Sequence, residues 1–166
     1  MKVISADAVG ELAADIEMDL TRLSQLEQEI YRVQGEIAGD SSRQDLFYEN
    51  LALKLHNFYT GCEKILQLVA VELNGGLPSG SDGHKRLLDR MSQERDGRPA
   101  ILTRETAASL REFLGFRHIV RNLYGFELDP NRVAVLVESY PEVWSNVQKD
   151  VRAFVDWLRA LAAEIP

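Results

Sequence analysis

Two arginines, a histidine, an asparagine and a tyrosine crowd into the nine residues Phe116-Arg117-His118-Ile119-Val120-Arg121-Asn122-Leu123-Tyr124. A guanidinium stays charged at any physiological pH and offers parallel N–H donors that match phosphate oxygens two at a time. An imidazole both accepts and releases protons near neutrality. If the stretch is helical, Arg117, Arg121 and Tyr124 fall at i, i+4 and i+7 and share one stripe. His118 and Asn122 form a second i, i+4 pair, rotated by about 100° from the first. Those residue types at that spacing point to a helix end that holds a phosphate and moves a proton beside it. The plainer alternative is that Arg117 and Arg121 pair with Glu112, Glu127 or Asp129, and that His118 caps the helix.

Charge singles out the same region. Residues 85–132 carry ten Lys or Arg against seven Asp or Glu, whereas residues 1–84 carry six against fourteen. The chain as a whole stands at −7, which argues against a general nucleic-acid coat protein, and DNA is not expected as a partner. A phosphate-binding cleft depends on the local field, and the basic segment supplies one. Other chemistry is absent from the pattern. There is no GxxxxGK[ST], GxGxxG or HExxH string, and His56, His84 and His118 are scattered rather than set at metal-ligand spacing. No metal and no cofactor are expected. Gly75, Gly76 and Gly80 read as loop glycines. Cys62, the one cysteine, allows no internal disulfide and reads as a packed thiol in a reducing compartment. His56 reads as a hydrogen-bonded or surface histidine. The N-terminus carries acidic residues where a secretory leader has an apolar block, and no apolar run approaches the roughly 18 residues that span a bilayer, so a cytoplasmic protein is expected.

The elements that must position the cluster are helices. Leu12, Ile16, Leu20, Leu23, Leu26, Ile30, Val33 and Ile37 recur at 3- and 4-residue steps and predict one long amphipathic helix over 6–37. Ala38-Gly39-Asp40 breaks it, and Ser41 or Ser42 is the expected cap of a second helix over 42–73. That helix carries Leu46, Leu51, Leu55, Phe58, Cys62, Ile65, Leu66, Val69 and Leu73, and should be the most buried. Residues 77–83 (LPSGSDG) form a loop, 84–94 a short helix, and 96–99 a second loop. The helix bearing the cluster is expected from Thr103, its cap, to Tyr124, with Gly125 as its stop. The last helix begins at Asp129-Pro130 and runs to about 163, with a kink or break at Pro141. The expectation is an all-α, antiparallel bundle of four long helices and one short one, forming a single domain over residues 1–166.

The string Phe116–Tyr124, at the end of a helix in a small α-bundle, resembles the motif of the HEPN superfamily. Its toxins carry an Arg, four to six residues, then a His, and the HepT-like branch adds a Tyr two residues after that His. The likeness extends to His56-Asn57-Phe58-Tyr59-Thr60-Gly61-Cys62-Glu63, to Gly83-His84-Lys85-Arg86-Leu87-Leu88 with Met91, and to Gly125-Phe126-Glu127-Leu128-Asp129, covering residues from about 42 to 160. The resemblance implies a metal-independent endoribonuclease toxin acting on RNA as a homodimer. It also implies a minimal nucleotidyltransferase (MNT) antitoxin as partner. In the HepT-like branch that partner modifies the motif tyrosine with AMP, and Tyr124 matches the position.

One position departs from the motif. Counted from Arg117, the histidine should fall at 122, where this chain has Asn122. RNA cleavage without a metal needs the 2′-hydroxyl deprotonated and the leaving oxygen protonated. Asparagine hydrogen-bonds a phosphate but cannot carry that proton, and general acid–base help is worth about 10²–10⁴-fold. His118, one turn earlier, is the first substitute. Arg111 with His118 forms an Arg-x6-His spacing of its own, and His84 is a third proton carrier if its loop folds back. In this scheme Arg117 and Arg121 hold the scissile phosphate, with Arg111 and His84 as further phosphate contacts. His118 transfers the proton, Asn122 positions, and Tyr124 stacks on a base or meets a phosphate. Arg117 and position 122 lie about 140° apart around a helix, so a dimer that apposes two helix ends is expected to complete the cleft. The competing expectations are a HEPN module that binds RNA, nucleotide or its partner without cleaving, and a purely structural helical adaptor.

Overall fold

The computed structural model describes residues 4–122, 124 and 127–165. Five α-helices follow in order: α1 (Ala6–Gly39), α2 (Gln44–Asn74), α3 (Gly83–Met91), α4 (Arg104–Asn122) and α5 (Pro130–Glu164). No strand occurs among the described residues; one isolated bridge joins Arg95 and Arg98. The architecture is the expected all-α bundle of four long helices and one short one.

Cross-helix partners fix the directions. Lys54 meets Glu29 and Lys64 meets Asp19, so α1 and α2 run antiparallel. Arg159 donates both ways to Glu17 at 2.7 Å, and Tyr31 stacks edge-on against Tyr140, so α5 is also antiparallel to α1. Helix α2 packs against all four others and is the axis of the molecule. At its centre Phe58, fully buried, meets Phe113 of α4 and Tyr140 and Trp144 of α5, all edge-to-face at 5.0–6.0 Å. Gly61 lets α1 approach: a Cβ there would lie 2.6 Å from Leu23 Cδ2.

The ends of the helices follow their local chemistry. Ser5 accepts from the Ala8 amide at the start of α1. Gly75, at φ 75°, closes α2, with the Gly76 amide on the Ala70 carbonyl at 2.9 Å. The Thr103 hydroxyl accepts from the Thr106 amide, and Asp129 caps α5 with Pro130 in its first turn. Asp96 and Gly97, both at positive φ (54° and 82°), make the tight turn that suits Asp-Gly. That turn buries Arg98, whose guanidinium donates to Asn74 Oδ1 and to the carbonyls of Gln93, Pro99 and Arg90. Burial pushes the Arg98 pKa down to about 10, so it stays charged at neutral pH.

Three expectations are corrected. Neither Ser41 nor Ser42 caps α2, which starts behind Arg43 with no side-chain cap; Asp40 caps the 3-10 turn at Ser41–Arg43 before it, its carboxylate accepting from the Ser42 amide and hydroxyl and from Arg43. Leu46 is 61% exposed, because this first turn of α2 projects beyond the core that begins at Leu51. Pro141 does not break α5. It faces solvent, while Val137, Tyr140, Val143 and Trp144 pin both halves of the helix to the same core, which offsets the roughly 3 kcal/mol cost of an interior proline. Leu123, Gly125 and Phe126 lie outside the described residues, and the expected helix stop at Gly125 lies there with them.

Candidate functional site

Three helices bring the site together. Helix α4 buries Leu110, Phe113, Leu114 and Phe116 on one side, which leaves Arg117 half-buried and His118, Arg121 and Asn122 exposed. The short helix α3 is held by Leu87, Leu88 and Met91 against the core, which places His84, in its first turn, over the last two turns of α4. Arg117 Nη1 donates to His84 Nε2 at 3.2 Å. The rings of His84 and His118 stand edge-on with centroids 6.3 Å apart. Two imidazoles and one guanidinium therefore share a single surface.

Behind them lies a residue that the sequence did not single out for chemistry. Glu63 of α2 is 95% buried by its side chain, and its Oε2 accepts from His84 Nδ1 at 2.8 Å while its Oε1 accepts from Gln67 at 3.2 Å. One signal could have revealed it: Glu63 is a carboxylate set between Tyr59, Cys62 and Leu66 on the apolar stripe of α2. Tyr59 is fully buried one turn earlier, its hydroxyl without a hydrogen bond. Burial first, then the Glu63 carboxylate, push the Tyr59 phenol above its ordinary pKa, with Arg117 pulling the other way, so it remains protonated. The Nε of Arg117 is likewise buried without a partner.

The remaining residues of the predicted set are dispersed. Arg111 is spent on an ion pair with Asp89 of α3 and does not join the cluster, which removes the Arg111/His118 register. This follows from spacing: six residues before Arg117 it faces a different side of α4. Asn122 turns back on its own helix, its Nδ2 donating to the His118 carbonyl at 2.7 Å. Arg121 is exposed and makes no ion pair among the described residues. Arg117 is not paired with Glu112, Glu127 or Asp129. Glu127 instead accepts from the Tyr124 amide at 2.9 Å, and the Tyr124 ring is 73% exposed. Among the described residues no group of three His, Cys, Asp or Glu side chains is placed to hold a metal ion. No helix among them is long and apolar enough to cross a membrane. Cys62 is a buried free thiol, as expected, and the His56 ring is partly buried with its Nδ1 unpartnered.

Beside His84 opens a pocket of about 330 Å³ lined by Gln67, Leu77, Pro78, Ser81 and Leu87. A larger one, about 470 Å³ between α1 and α5, sets Glu17 and Asp156 against Arg152 and Arg159 and contains none of the cluster.

The bundle, with its Arg/His surface at the end of the fourth helix, belongs to the class of small all-α domains. Within that class, the HepT-like protein family matches residues 50–158 of this chain, and the chain belongs to that family. The matched span takes in α2 from its second turn through most of α5, and so every residue of the cluster, while α1 lies outside it. No curated protein and no solved structure matches the chain.

Proposed function

We propose that the chain is a HepT-type toxin that cleaves RNA through Arg117, His84 and His118. The observation that carries this is a guanidinium in contact with His84, whose ring lies 6.3 Å from that of His118, in the one basic segment of an acidic chain. Arg117, with the exposed Arg121, holds the scissile phosphate and stabilises the charge of its pentacoordinate state. One imidazole takes the proton from the 2′-hydroxyl as O2′ bonds to phosphorus. The other gives a proton to the departing O5′ as the P–O5′ bond breaks. The products are a 2′,3′-cyclic phosphate and a 5′-hydroxyl, and water resets the two rings. Asn122 contributes by capping α4 through the His118 carbonyl rather than by carrying a proton. The reading includes a homodimer and an MNT-type nucleotidyltransferase antitoxin, with the exposed Tyr124 as the acceptor of AMP. It also includes a cytoplasmic location.

The test is cleavage of tRNA and mRNA by the purified protein, with toxicity on expression in cells. Wild type cuts and arrests growth, and Arg117→Ala does neither. Intact RNA with both proteins, and equal growth, overturns the proposal. A second reading, a HEPN module that binds RNA or its partner without cleaving, is favoured by Asn122 alone. It predicts binding without product, and a large gain of cleavage on Asn122→His.

A further inference from the structure

We propose that Glu63 is a positioning residue, which holds His84 with its proton on Nδ1 and its Nε2 lone pair turned to the Arg117 side, making His84 the proton acceptor of the site. The assignment to the cleavage step rests on the RNA-cutting reading above; the hold on the ring does not.

The hydrogen-bond inventory fixes the form of the ring. A carboxylate only accepts, so the 2.8 Å contact to Glu63 Oε2 requires a proton on His84 Nδ1. A guanidinium only donates, so the 3.2 Å contact from Arg117 Nη1 requires a lone pair on Nε2. His84 in this arrangement is the neutral Nδ1–H imidazole, the less common form of a free ring, held there from both sides. Glu63 itself is rigid: it is buried in the middle of α2, and Gln67 holds its second oxygen. A buried carboxylate is costly unless partnered, and His84 is the imidazole that reaches it.

The consequence is directional. When a phosphate takes Arg117 Nη1 from the ring, the Nε2 lone pair is left facing the ligand, ready to accept the 2′-hydroxyl proton. The imidazolium then formed lies against the Glu63 carboxylate, which stabilises it. His118 is paired with no carboxylate among the described residues and is the exposed partner, suited to deliver a proton to the leaving oxygen. The charged and titratable groups around His84 are Glu63 and, behind it, Tyr59 from α2, with Arg117 and His118 from α4.

Two measurements on the full chain decide it. Long-range 1H–15N correlation spectra of the 15N-labelled protein at pH 7.5, with His84 assigned by comparison with His84→Gln, report which ring nitrogen carries the proton. The expected pattern is Nδ1–H in wild type and in Glu63→Gln, whose amide oxygen still accepts, and a change to predominantly Nε2–H in Glu63→Leu. In RNA cleavage Glu63→Gln lowers kcat about tenfold and Glu63→Leu 10–100-fold, while KM stays within twofold, as for loss of a positioning partner. An Nε2–H ring in wild type, or Glu63→Leu with unchanged tautomer and unchanged kcat, overturns the proposal. Should Glu63→Leu fail to fold, Glu63→Gln decides the kinetic arm, and equal kcat to wild type overturns it. A wild-type protein that cuts no RNA removes the cleavage reading and the acceptor role with it. The spectra then still uphold or overturn the hold of Glu63 on the ring.

Discussion

Removing the Arg117 guanidinium separates a working site from an ornamental one. Among the described residues this side chain makes one hydrogen bond, to His84 at 3.2 Å, and keeps its Nε buried without a partner. Truncation to alanine therefore loses one long contact and relieves one unsatisfied donor. The two effects nearly cancel, and the fold should change by no more than about 1 kcal/mol, a few degrees in Tm. The transition state is affected far more. A donor aimed at developing phosphoryl charge is worth about 2.7–4 kcal/mol, so single-turnover cleavage by Arg117→Ala should fall roughly 10²–10³-fold. Arg117→Lys keeps the charge but not the paired donors, and should recover only part of the loss. The assay is cleavage of end-labelled RNA under enzyme excess in EDTA, with thermal unfolding of each variant alongside. A folded Arg117→Ala protein that cleaves within threefold of wild type refutes the reasoning, since the phosphate would then be held elsewhere.

Asn122→Ala removes only the cap on the His118 carbonyl and should cost about 0.5–1 kcal/mol of stability and less than tenfold in cleavage, by thermal melts and the same gel assay. Phe58→Ala empties the centre of the aromatic cluster and should destabilise by about 3–5 kcal/mol in urea unfolding. Arg98→Ala strands Asn74 and three carbonyls and should cost about 3 kcal/mol, with protease cutting appearing first near residues 93–99. Burial pushes the Cys62 thiol well above its ordinary pKa, so it holds almost no thiolate at pH 8. It should resist a thiol reagent in the native protein and react at once in denaturant.

The helices were legible because their apolar residues recur at 3- and 4-residue steps over long spans, and Ile16, Leu20, Leu55, Phe58 and Val69 are buried as the pattern requires. Their ends were harder. A 3-10 turn capped by Asp40, whose carboxylate serves an amide, a hydroxyl and Arg43 at once, takes the place of the expected serine cap before α2. Pro141 was expected to kink or break α5; the helix continues through it, with burial on both sides from Val137 to Trp144. At the site, Arg117, His118 and the inward return of His84 could be anticipated from spacing and from the family motif. Glu63 offered a single cue, a carboxylate on the apolar stripe of α2, and its meaning comes from His84, 21 positions away. Arg111 was expected as a further phosphate contact; it pairs instead with Asp89, which sits across a loop that sequence periodicity cannot fold.

The most direct test is chemical analysis of the ends left on RNA by the purified protein in the presence of EDTA, wild type beside His84→Ala. The two-imidazole site predicts 2′,3′-cyclic phosphate and 5′-hydroxyl ends from wild type and a fall of about 10²–10⁴-fold with His84→Ala. Fragments ending in 5′-phosphate, or undiminished cutting by His84→Ala, would contradict it.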